Sequence, residues 1–71
     1  MEKTEFTPAE ITKIVDRLMD GEKMLMSENR FRLLRSSAER HIENDVMEPE
    51  ECDPIFLGRY TKTGKVLLAL Y

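Results

Sequence analysis

With 71 residues, 41% hydrophobic and 35% charged, the chain is long enough for one small core and too short for separate lobes. Its 14 acidic against 11 basic residues leave a net charge of −3, which weighs against a dedicated nucleic-acid binder. The single cysteine, Cys52, excludes an internal disulfide and a cage of several thiolates, and no apolar run reaches the length of a membrane span or signal-peptide core.

These limits predict one domain over residues 1–71, in a reducing, cytoplasmic setting. A domain of this size buries only about 60% of the surface its unfolded chain exposes, so a second chain is an expected source of stability.

The first element is a helix over residues 8–20. Thr7 and Glu10 form a Thr-x-x-Glu capping box around Pro8, and Phe6 is placed to pack on Ile11 as a hydrophobic staple. Ile11, Ile14, Val15 and Leu18 share one face, and Gly21 stops the helix in the left-handed conformation. Residues 22–26 read as a connector or, at 23–26, as a short extra strand. Ser27 then caps a second helix over about 28–46, with Phe31, Leu34, Ala38 and Ile42 as its apolar stripe.

Residues 43–53 hold six acids, no base and Pro49, and Pro54 follows directly, which predicts a solvated loop. Runs at 55–60 and 66–71 read as strands joined by a turn at Thr61-Lys62-Thr63-Gly64-Lys65, closing the chain with a hairpin. The expected fold is therefore α+β: two helices packed on a C-terminal antiparallel hairpin.

Both faces of the last strand are apolar, with Leu67, Ala69 and Tyr71 opposed to Val66, Leu68 and Leu70. Phe56 points away from Ile55 and Leu57 in the first strand, and Leu33 lies off the helical stripe. Two helices cover only one sheet face, so the sheet is expected to be extended or covered across a dimer interface. Phe56, Leu67, Ala69, Tyr71 and Leu33 are the residues expected to meet a second copy or another protein.

Chemistry finds little footing. Gly58 and Gly64-Lys65 are spaced wrongly for a phosphate-binding loop, with Val66 where Ser or Thr is required. His41 and Asp45 stand four apart, and Glu48 or Cys52 would have to complete a metal site, but a helix-margin histidine beside an exposed carboxylate is the preferred explanation of the pair. Cys52 between Glu51 and Asp53 is in the wrong electrostatic setting for a reactive thiolate. No catalytic set, metal, cofactor or small-molecule substrate is assigned, and a non-enzymatic interaction or regulatory module, acting as a homodimer, is expected.

The alternative is a nucleic-acid-binding regulator using Arg30, Arg35 and Arg40 with Lys62 and Lys65. A helix followed by a hairpin with a basic tip resembles a winged helix-turn-helix. Against it, the arginines spread around their helix, Glu28 and Glu39 are placed to pair with Arg32 and Arg35, and a third helix is not evident.

Overall fold

The computed structural model describes residues 5–70. Among these, helix α1 (Pro8–Met19), strand β1 (Met24–Ser27), helices α2 (Glu28–Glu43) and α3 (Pro49–Phe56), and strands β2 (Arg59–Tyr60) and β3 (Lys65–Leu68) follow in order. The strands form one antiparallel sheet in the order β1-β3-β2. The α+β class therefore holds, while the two-helix arrangement does not.

Helix α1 forms as its sequence dictates. The Thr7 hydroxyl accepts from the Glu10 amide at 3.3 Å, and the Glu10 carboxylate accepts from the Thr7 amide at 3.0 Å. Gly21 at φ 92° ends the helix, with Gly21 N–H donating to Leu18 O and Glu22 N–H to Arg17 O, the paired bonds of a Schellman motif.

Helix α2 ends at Glu43, three residues short of the predicted 46. Asp45 adopts the left-handed conformation at φ 58°, its N–H donates to Ile42 O, and Val46 N–H donates to His41 O. A short polar side chain tolerates this conformation better than others, so Asp45 plays the part glycine plays after α1.

Helix α3 corrects the largest expectation. Residues 49–53, read as loop, and Ile55 and Phe56, read as strand, are helical. Pro49 sits at the first position, where no N–H is needed, and Glu50 and Glu51 occupy the first turn, where the helix dipole favours negative charge. Pro54 removes one internal hydrogen bond, but Cys52, Pro54 and Ile55 are buried, and that burial holds the short helix in place. The hairpin's first strand shrinks to Arg59–Tyr60, and β1 takes the other edge of the sheet.

One core joins every element except β2, with Phe6, Ile11, Leu18, Phe31, Leu34, Ile55, Val66 and Leu68 nearly or wholly excluded from solvent. Phe6 is fastened by its backbone: its N–H donates to Ser37 Oγ at 3.0 Å, and His41 Nε2 donates to its carbonyl at 2.8 Å. Gly58 is where the chain crosses Phe31. A Cβ there would lie 2.6 Å from Phe31 Cε1 and 2.9 Å from Val66 Cγ1.

Two stability predictions follow from these backbone positions. Gly58→Ala is expected to lose about 2 kcal/mol in urea denaturation, because the buried ring it meets has little room to yield. Asp45→Gly is expected to gain roughly 0.5–1 kcal/mol by relieving the left-handed backbone, read as a higher urea midpoint at unchanged slope.

Candidate interaction surfaces

Antiparallel register sorts the sheet residues by face. Leu25 pairs with Leu67, and Leu67 pairs with Arg59, so these three share one face; Ser27 and Lys65 form the next row. Met24, Met26, Val66 and Leu68 point to the other face, where Met26, Val66 and Leu68 are buried with the helices. The outward face thus carries an apolar strip of Leu25 and Leu67, continued by alternation to the half-buried Ala69, with Arg59 and Lys65 beside it. Leu25 is 56% exposed. A small depression of about 80 Å³ lies among Arg59, Leu67, Ala69 and Leu70.

Of the expected contact residues, Leu67 and Ala69 take this position, and Tyr71 lies outside the described residues. Phe56 does not belong to the sheet: it is half-buried on α3 with the Arg35 guanidinium 5.8 Å from its ring centroid. Leu33 is likewise half-buried, packed against the core. Arg59 escaped the sequence reading; the unbroken apolar run Met24-Leu25-Met26, apolar on both faces of a strand, is the sign that marks Leu25 as an extension of the contact surface.

The basic residues do not converge. Arg30 stands over the Phe6 ring at 5.2 Å, Arg35 pairs with Glu39 at 3.3 Å, and Arg40 reaches Glu5 at 3.5 Å. Arg32 pairs with Glu28 at 2.6 Å, so both anticipated pairs within α2 are present. These exposed pairs add less than about 1 kcal/mol each to stability, yet they offset the positive charge a phosphate would meet. Lys62 and Lys65 are exposed at the hairpin turn.

The groups considered for chemistry also lie apart. Among the described residues no cluster of three or more His, Cys, Asp or Glu is placed to hold a metal. His41 is spent on the Phe6 carbonyl. Cys52 is buried against Met47, its Sγ 4.0 Å from Sδ. Burial, then the charges of Glu51 and Asp53, push its thiol pKa up.

Among the described residues no helix is long and apolar enough to cross a membrane. No family model, curated protein or solved structure matches the chain.

The thiol geometry has a direct readout. Cys52 is expected to resist a disulfide reagent in the native protein and to react at the rate of core opening, rising to full reactivity in denaturant. Rapid labelling under native conditions would contradict its placement.

Proposed function

We propose that this protein is a small non-enzymatic, cytoplasmic regulatory module that acts by protein–protein binding, assembling as a homodimer through the outward face of its sheet. The observation that carries this reading is the apolar strip of exposed Leu25 with half-buried Leu67 and Ala69, on a sheet whose opposite face already fills the core. Pairing two such strips would remove apolar surface from water at roughly 25 cal/mol per Å², in a domain too small to be strongly stable alone.

A second reading draws on chain connectivity. The order helix, strand, helix, helix, hairpin, with β3 between β1 and β2, is that of a winged helix-turn-helix. That analogy brings a nucleic-acid-binding regulator into view, with Arg59, Lys62 and Lys65 on the wing. The helix that would enter the major groove is α3, however, and its charged residues are Glu50, Glu51 and Asp53. Acids facing phosphate oppose binding, so protein association remains the better-supported function.

Sedimentation at micromolar concentration separates the two. A dimer is expected, converted to monomer by Leu25→Glu, an exposed site, and by Leu67→Thr, which keeps a strand-forming side chain. A well-folded monomer with no partner recovered on pull-down would overturn this reading. Duplex DNA binding at about 50 mM salt, lost on charge reversal of Lys62 and Lys65, would favour the other.

A further inference from the structure

The sheet has a second unfilled feature, on the opposite side from the strip of Leu25 and Leu67. Because the strand order is β1-β3-β2, one edge of β1 has no neighbouring strand among the described residues. Among the described residues, Met24, Leu25 and Met26 make no backbone hydrogen bond outside their ladder with β3. An open groove of about 280 Å³ runs between this edge and α1. Ile14, Met24 and Met26 give it an apolar wall, and methionine adapts readily to varied ligand shapes.

The rim reverses the charge of the molecule. Lys13, Arg17 and Arg30 line the groove with Glu10 as its acid, on a chain whose net charge is −3. Glu10 is already engaged by the Thr7 amide and hydroxyl at 3.0 and 3.1 Å. Arg17 has only a long contact to Glu22 at 3.8 Å, both side chains more than half exposed. Arg30 is steadied over the Phe6 ring. Lys13 and Arg17 stand one helical turn apart on α1, a spacing that lets them reach successive carboxylates of an extended chain.

We infer that this groove binds an extended acidic and apolar segment of a partner protein, which adds to β1 as a fourth strand. The strand edge open among the described residues supplies main-chain hydrogen bonds, and the side chains that the added strand turns into the groove meet both the Ile14 and Met24 wall and the cations Lys13, Arg17 and Arg30, which line it together. A polyphosphate chain fits less well, since it has no amide edge to pair with the strand and no side chains for the methionines. This site is separate from the outward face and does not depend on dimer formation.

The test is a titration of the ¹⁵N-labelled full chain with a short capped peptide whose every second residue is in turn valine or glutamate, with threonine between them, so that one face carries both, followed by NMR. Saturable amide shifts at Met24 to Met26 are expected, with affinity falling roughly tenfold or more in the exposed double variant K13E/R17E. The Leu67→Thr variant, whose altered side chain faces away from the groove, should bind the peptide as tightly as wild type whether or not the protein dimerises. Equal binding of a lysine–valine peptide, shifts confined to the outward face, competition by duplex DNA, or self-association abolished by K13E/R17E would each overturn the proposal.

Discussion

Phe31 is the contact on which the arrangement depends. Projecting from the first turns of α2, its ring fills the space that a side chain at position 58 would need, touches the environment of Val66, and receives the Tyr60 ring edge-on at 6.4 Å and 82°. One residue thereby ties the second helix to the exit of the third helix and to both strands of the hairpin. The absence of a Cβ at Gly58 brings β2 and β3 close enough for the buried residues of β3 to join the helical core.

Legibility in the sequence tracked how many local rules agreed. Around α1 the capping box, the proline, the apolar spacing and the glycine stop all pointed one way, and the helix lies within one residue of its expected end. The α2 stripe was equally plain, but its end was not, because an aspartate rather than a glycine takes the left-handed turn. Strand β1 is four residues long and owes its state to pairing with β3, about 40 positions away in sequence, which no local pattern records.

Helix α3 was hidden by its composition. Prolines and dense acids ordinarily mark a solvated loop, and Pro54 argues against a helix interior. What makes it helical is tertiary: Cys52, Pro54 and Ile55 find a buried surface there, and the acids that suggested solvent instead lie in its first turn or on its exposed side. Taking Ile55 and Phe56 into this helix also removed Phe56 from the sheet, whereas Leu67 and Ala69 kept the outward position their alternation implied. The arginines of α2, by contrast, share no single surface: they are drawn off individually by Glu28, Glu39, Glu5 and an aromatic ring.

The central position of β3 has a kinetic meaning. Among the described residues both β1 and β2 pair only with β3, the last of the three strands in chain order. In chain order the three helices therefore precede every sheet pairing among the described residues, since Met24 to Ser27 meet their partner only in Lys65 to Leu68. Final assembly is a late, long-range event, and the exposed methionine-rich segment is what the folding chain must protect from competing strands until then.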